Sequence, residues 1–392
     1  MISVSDALDR LFALVTPLDR EQVTLDEAVD RVMAETAIAR RTHPPFPASA
    51  MDGYAVRTSE AQAGATLTVI GEAAAGNRFT GEMAAGQAVR IFTGAPVPDG
   101  TNAILIQENA VRSGDTITVT EAPAKGIHIR PAGGDFTAGD KLEAPRRLTP
   151  RDVALLAAMN IDRVTVTRRP VVALIPTGDE LVLPGQEPGP DQIVTSNNFG
   201  LAAMCARLGA QPRLCPIARD NPASLRAALT AAEGADFIVT LGGASVGDHD
   251  LVADVLGGEG LTLDFYKIAM RPGKPLMAGR LGPAVMVGLP GNPVSAMVCG
   301  EIFLRPALEA AMGLPPGPRA RLSAPLAHAL PANGPREHYM RAILDEDGTL
   351  TVFESQDSSL LQTLARANAL VVRKMQSPDS PAGCIVPYIP LV

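Results

Sequence analysis

The sequence predicts a multidomain protein of the α/β and β class, and three observations lead there. Strand-like apolar runs alternate with helical segments between residues 169 and 314, the pattern of a central three-layer α/β domain with a mostly parallel sheet. Short β-rich runs fill 43–140 and return after residue 314. The chain holds 36 glycines and 34 prolines but only 4% aromatic residues and no tryptophan. That balance favours many short elements joined by shaped turns over a coiled coil or helical bundle.

Taken in order, Ala7, Leu8, Leu11, Phe12 and Val15 recur at helical spacing. Thr24 with Glu27 matches a capping box ahead of Ala28, Val29, Val32 and Met33. The first forty residues are therefore expected to be helical. Runs at 66–70, 88–92, 103–107 and 116–120 read as strands. Helix is expected again from Thr149-Pro150, a cap followed by proline at the first helical position. The predicted organisation is a discontinuous, largely helical domain (1–42 and 141–168) interrupted by a β-rich insertion domain (43–140). The α/β domain (169–314) follows, and beyond the proline-rich 314–318 comes a small C-terminal β-barrel-like domain (315–392).

Hydrophobic content of 46% with 19% charged residues excludes a disordered chain. The net charge of −8 and scarce aromatics argue against a nucleic-acid partner, which needs a basic footprint or stacking rings. No apolar run approaches the ~18 residues of a membrane span. The N-terminus lacks the basic region of a signal peptide. Cys205, Cys215, Cys299 and Cys384 are scattered without metal-knuckle spacing, so a reduced, cytoplasmic setting is expected.

In the α/β section each strand is followed by a polar loop: Thr177-Gly178-Asp179-Glu180, Arg219-Asp220-Asn221-Pro222, residues 242–250, and Pro290-Gly291-Asn292-Pro293. One such loop could be turn chemistry alone. Four at strand carboxyl ends converge on the crevice where open α/β sheets bind ligands. Lys267, Arg271 and Lys274 surround a proline-rigid turn, and strand alternation would put Lys267 and Arg271 on one face, suited to an oxyanion. The acids Asp52, Asp135, Glu180, Asp220, Asp248 and Asp250 stand near glycines or in these loops, and oxygen donors in an anion-binding crevice suit Mg²⁺.

Two further motifs fall short, the first in its residues and context and the second in its partners. Residues 71–78 have P-loop glycine spacing without the terminal Lys and Ser/Thr. Gly243-Ala244-Ser245-Val246-Gly247 matches a nucleophile elbow, which leaves a Ser245 serine hydrolase as an alternative. Of the later histidines, however, His249 is too close in sequence, and His328 and His338 lie beyond the proline-rich linker.

The sequence resembles the molybdopterin molybdenumtransferases, relatives of the C-terminal domain of gephyrin. The resemblance rests on Pro44-Pro45-Phe46-Pro47-Ala48-Ser49-Ala50-Met51-Asp52-Gly53-Tyr54-Ala55-Val56, on Ile91-Phe92-Thr93-Gly94-Ala95-Pro96 and on Arg130-Pro131-Ala132-Gly133-Gly134-Asp135. Residues 176–181, 242–250, 270–275 and 288–296 continue it in order. Agreement extends from about residue 1 to 313 and is looser in the tail.

The resemblance implies adenylylated molybdopterin and molybdate as partners, Mg²⁺ as cofactor, and hydrolytic release of AMP. Its catalytic positions fall on Asp52, Thr93, Asp135, Glu180, Asp220 and Asp250, with Glu180, Asp220 and Asp250 as metal ligands. Its substrate-binding positions fall on Gly243, Ser245, Lys267, Arg271, Lys274, Pro290, Gly291, Asn292, Pro293, Arg341 and Ser358. Arg341 and Ser358 take the place of a molybdate-contacting arginine and serine. Arg271 stands where relatives often carry lysine, which keeps the charge and changes the hydrogen-bond geometry. The residues around Ser358 lack the usual glycine. The resemblance also implies an elongated homodimer whose active site is shared between subunits, and it leaves a non-catalytic, gephyrin-like scaffold as a second alternative. An intact carboxylate set argues against that scaffold.

Overall fold

The computed structural model describes residues 1–242, 255 and 257–391. A six-stranded sheet at its centre has the strand order 211–214, 171–176, 237–241, 284–289, 277–281, 261–266. The first four strands are parallel and the last two antiparallel. Strand alternation sends successive side chains to opposite faces. In Val171–Pro176, Val172 and Leu174 join one core with helices Asn197–Arg207 and Pro293–Cys299, while Ala173 and Ile175 join a second core with helix Pro222–Ala231. Near-continuous apolar strands are what burial on both faces requires. The sequence-level expectation of a three-layer unit is met.

Residues 53–119 form another six-stranded sheet, ordered 103–106, 53–56, 87–91, 66–73, 116–119, 110–113, over two small cores of its own. The C-terminal strands run 270–271, 337–344, 369–373, 385–390, 322–325. Leu350–Val352 pairs with 342–344, and Leu326 bridges Leu350, which closes the circuit around Ala342, Leu350, Val371 and Tyr388. The barrel-like expectation is met.

The expectation of a largely helical first region is corrected. Helix Val4–Leu14 forms, capped by Ser3, but packs in the α/β core with Leu201, Phe237 and Phe303. Residues 20–24 and 32–33 are strands in a four-stranded sheet with 146–147 and 163–167. The Thr24–Glu27 signal yields one 3₁₀ turn, in which Thr24 makes no cap bond to the backbone and its hydroxyl turns to Glu27 at 3.4 Å. Asp30 then enters the left-handed region at φ 64°, which ends any helix. Cross-strand pairing of 20–24 with 163–167 outweighs the local helical signal. Helix Pro150–Ala158 does form, with Thr149 and Asp152 as a reciprocal capping box.

All four cysteines are free, and burial pushes the Cys205 thiol up to about 12. Among the described residues no helix is long and apolar enough to cross a membrane.

Candidate active site

Three of the four polar loops meet where the parallel strands end. Thr177 donates its N–H to Leu241 O at 3.1 Å, and Gly178 donates to Ala218 O at 3.0 Å. Gly242 donates to Leu289 O at 3.1 Å and runs so close to its neighbour that a methyl group on it would lie 2.8 Å from Thr177 O. Asn197 Nδ2 donates to Gly291 O at 2.7 Å. The strand ends are thus tied sideways into one rim, the crevice expected of such a sheet. Of the fourth loop Gly242 joins the rim; Gly243, Ser245, Asp248 and Asp250 lie outside the described residues.

Glu180 and Asp220 are exposed on adjoining loops of this rim. Gly178 has φ +138°, a conformation that needs glycine, and the Glu180 carboxylate folds back over it. Asp220 N–H donates to Asp179 Oδ1 at 3.0 Å. Arg219 Nη1 donates to Gly178 O, Asp179 O and Leu181 O at 3.3, 2.9 and 3.0 Å. Among the described residues no cluster of three or more His, Cys, Asp or Glu could hold a metal. Glu180 and Asp220 are the two acids here whose carboxylates accept no bond among the described residues, and Mg²⁺ takes only one or two, leaving its other positions to phosphate and water. They do not make a closed protein cage.

The basic loop lies at the same end of the sheet, because Met277 opposes Gly288 in the antiparallel register. Its expected geometry is corrected. Lys267 has φ 69°, so strand alternation breaks there, and Met270–Arg271 pairs with Glu337–His338 in the C-terminal sheet. Lys267 and Arg271 therefore do not share one strand face. The loop is pinned instead: Ile268 donates to Lys274 O, and Ala269 donates to Ile2 O at 2.8 Å. At Gly273, with φ 105°, a methyl group would lie 2.3 Å from Cys299 Sγ. Arg271 and Lys274 are exposed, Lys267 is half-buried with Nζ 4.9 Å from the Tyr266 ring, and among the described residues no ion pair takes these three charges.

Beside it, Pro290-Gly291-Asn292 leads into helix Pro293–Cys299, whose Val294 N–H donates to Ser358 O at 3.1 Å. Ser358 thus reaches the rim through its backbone. Arg341 does not present its guanidinium. It is 1% exposed, and its donors go to Gln356 Oε1, Leu360 O and Ser355 O. Burial lowers its pKa. The expectation that Arg341 contacts an oxyanion is corrected: its side chain is buried, and its hydrogen bonds shape the 355–360 segment that carries Ser358.

Asp52, Thr93 and Asp135 lie on a second surface. Segment 43–53 runs between two others, with Gly94 N–H donating to Ser49 O and Gly133 N–H to Pro44 O. Asp52 Oδ1 accepts from Thr93 N–H at 2.7 Å and from its hydroxyl at 2.8 Å. These bonds, and then Arg90 nearby, hold the Asp52 carboxyl below the usual range. Asp135, also exposed, is anchored through its N–H to His43 O at 3.1 Å, and among the described residues its carboxylate bonds to neither Asp52 nor Thr93. Among the described residues no hydrogen bond or ion pair joins 43–140 to the crevice loops of the same chain.

Comparison with known proteins gives three adjoining matches: "MoeA N-terminal region (domain I and II)" over residues 2–160, "Probable molybdopterin binding domain" over 173–310 and "MoeA C-terminal region (domain IV)" over 323–391. A molybdopterin molybdenumtransferase of Haemophilus influenzae is 39% identical over 317 residues, 80% of this chain and 78% of that protein. One from Nostoc is 36% identical over 95% of this chain and 90% of its own. The chain belongs to the molybdopterin molybdenumtransferase family. A crystal structure of a molybdopterin biosynthesis protein from Pyrococcus horikoshii OT3 covers all of both chains at a TM-score of 0.87 and 28% identity.

Within this family member, three residues do more than the sequence displays. Arg219 stands in one of the crevice loops, where no motif gives it a role. Arg90 lies between the Tyr54 and Phe92 rings, 5.1 and 4.8 Å from their centroids, and donates to Gly53 O beside Asp52; its alternation within 87–91 gave no sign of this. His338 is 6% exposed and its Nε2 has no partner among the described residues. Burial, then Arg271, Arg336, Arg341 and Arg373, pushes its pKa down to about 4. Only the strand pairing with Arg271 could have revealed that.

Proposed function

We propose that this protein inserts molybdenum from molybdate into adenylylated molybdopterin and releases AMP by a Mg²⁺-dependent hydrolysis. At the coarser level it is a transferase of molybdenum cofactor biosynthesis. The observation that carries the finer reading is a single rim with stitched acidic loops at one end and, at the other, cations that no ion pair among the described residues takes. Such a rim suits a substrate with a pyrophosphate linkage and an incoming oxyanion.

In this reading Glu180 and Asp220, with Asp250, hold the ion. When bound, Mg²⁺ neutralises phosphate charge as the linkage breaks. Water adds across that linkage, its oxygen bonding to one phosphorus and its proton passing to the departing phosphate. Rim carboxylates orient that water. Lys267, Arg271 and Lys274 attract phosphate and molybdate, Gly243 and Ser245 serve as substrate-binding positions, and Pro290-Gly291-Asn292-Pro293 frames the substrate with Ser358 alongside. Arg341 acts only through the segment it shapes. Asp52, ionised by its Thr93 bonds, enters with Thr93 and Asp135 from the second copy of a homodimer. The separation of that surface from the crevice within one chain supports such sharing. A cytoplasmic setting without nucleic-acid or membrane partners accompanies this reading, in keeping with the charge of −8 and the free thiols.

The test incubates the protein with adenylylated molybdopterin, Mg²⁺ and molybdate and follows AMP. Molybdate-dependent release is expected, falling about 100- to 10,000-fold in Glu180→Ala. No molybdate-dependent release, or an unaffected Glu180→Ala variant, overturns the reading. Fluorophosphonate labelling of Ser245 would favour a hydrolase instead.

A further inference from the structure

Arg219 Nη1 faces three carbonyl oxygens of a neighbouring loop, those of Gly178, Asp179 and Leu181 at 3.3, 2.9 and 3.0 Å. These carbonyls flank Glu180 on both sides. With their lone pairs turned inward on one guanidinium, the loop closes around Arg219 and Glu180 is carried at its edge. Two bonds run beside these: Asp220 N–H to Asp179 Oδ1, and Gly178 N–H to Ala218 O, each 3.0 Å. Behind them, Arg219 N–H donates to Ser224 Oγ at 2.9 Å, and Ser224 N–H to Asn221 Oδ1 at 2.9 Å, fastening the same segment to the first turn of helix Pro222–Ala231. Two loops about forty residues apart in sequence are thereby locked together; Asp179 accepts from Asp220 N–H, while Glu180 and Asp220 are exposed with no bond to their carboxylates among the described residues.

We propose that Arg219 is a positioning residue for a divalent cation, fixing the spacing of Glu180 and Asp220 from behind without touching the ion. The proposal rests on the metal reading above. Its physical signature is a sign. Arg219 is a cation next to a cation site, so charge alone predicts that removing it tightens metal binding. Positioning predicts the reverse, because partners that orient metal ligands typically contribute about 10- to 100-fold in affinity.

The experiment titrates Mn²⁺ alone into the full-length protein and reads free Mn²⁺ by electron paramagnetic resonance, with circular dichroism melts alongside. Arg219→Ala is expected to bind Mn²⁺ about 10-fold or more weakly than wild type, with Arg219→Lys between the two. Arg219→Gln, equally neutral but still carrying an amide donor, gives the same sign test should Arg219→Ala fail to fold. Wild-type or tighter Mn²⁺ binding in a folded neutral variant, while Glu180→Gln weakens it, overturns the positioning role and leaves the metal reading standing. Mn²⁺ binding indifferent to Glu180→Gln overturns both.

Discussion

The crevice and the insertion surface hold their acids in opposite ways. At the crevice, Glu180 and Asp220 receive no bond to their own carboxylates among the described residues; backbone ties and the Arg219 guanidinium fix the loops beneath them. On the insertion surface, Asp52 is gripped directly by the amide and hydroxyl of Thr93. Free carboxylates on a rigid rim are available to an ion or a water, whereas a carboxylate with one oxygen already occupied is set in orientation and charge. The contrast teaches that an exposed acid can be prepared either through its scaffold or through its own lone pairs.

If the two regions are independent, damage to one core should leave the other intact. Leu201 is fully buried in the core beneath the crevice, whereas the insertion sheet has separate cores. Leu201→Ala is expected to cost about 2–5 kcal/mol. By hydrogen exchange, protection should fall in strands 171–176, 237–241 and 284–289 and persist in 53–56, 87–91 and 103–106; equal loss in both would break the comparison.

The joint between the basic loop and the C-terminal sheet is expected to weaken at low pH. His338 is buried neutral, with its pKa lowered from 6.5 to about 4. Below pH 6.5 the unfolded chain binds the proton that the folded chain refuses. The stabilising contribution is thus complete above pH 6.5 and is lost progressively as pH falls toward 4, up to about 3 kcal/mol. Denaturant titrations of the protein and of His338→Phe should diverge across that window, and parallel curves would remove His338 from the explanation.

The smallest effect sharpens the contrast on the Asp52 side. Thr93→Val removes the hydroxyl donor and keeps the amide, so the Asp52 pKa should rise part of the way toward its ordinary value. Carboxyl-detected NMR titration measures this. Glu180→Gln should leave the Asp52 titration unmoved in the isolated chain.

Much of this was legible in the sequence because the physical cause was local. Val171 through Ile175 are apolar on both faces, as a doubly covered strand must be, and the loops after such strands point to the crevice. Thr149-Pro150 announced its helix by cap chemistry. What misled was local signal overruled by distant pairing: 20–24 became strand because 163–167 lay opposite it, and Lys267 and Arg271 parted because Arg271 entered another sheet. Arg341 read as a ligand because sequence reveals a charge and not the Gln356 side chain and carbonyls that absorb it. Arg219 went unassigned because its acceptors are main-chain oxygens, which every residue owns and no motif displays.

Subunit mixing tests most directly whether these two regions form one site across a dimer. Differently tagged Asp52→Asn and Glu180→Gln chains would be co-expressed and assayed for molybdate-dependent AMP release, each variant being nearly inactive alone. Sharing between subunits leaves one intact site in each mixed dimer, so random pairing restores roughly a quarter of the wild-type rate. A mixture as inactive as either variant alone would contradict it.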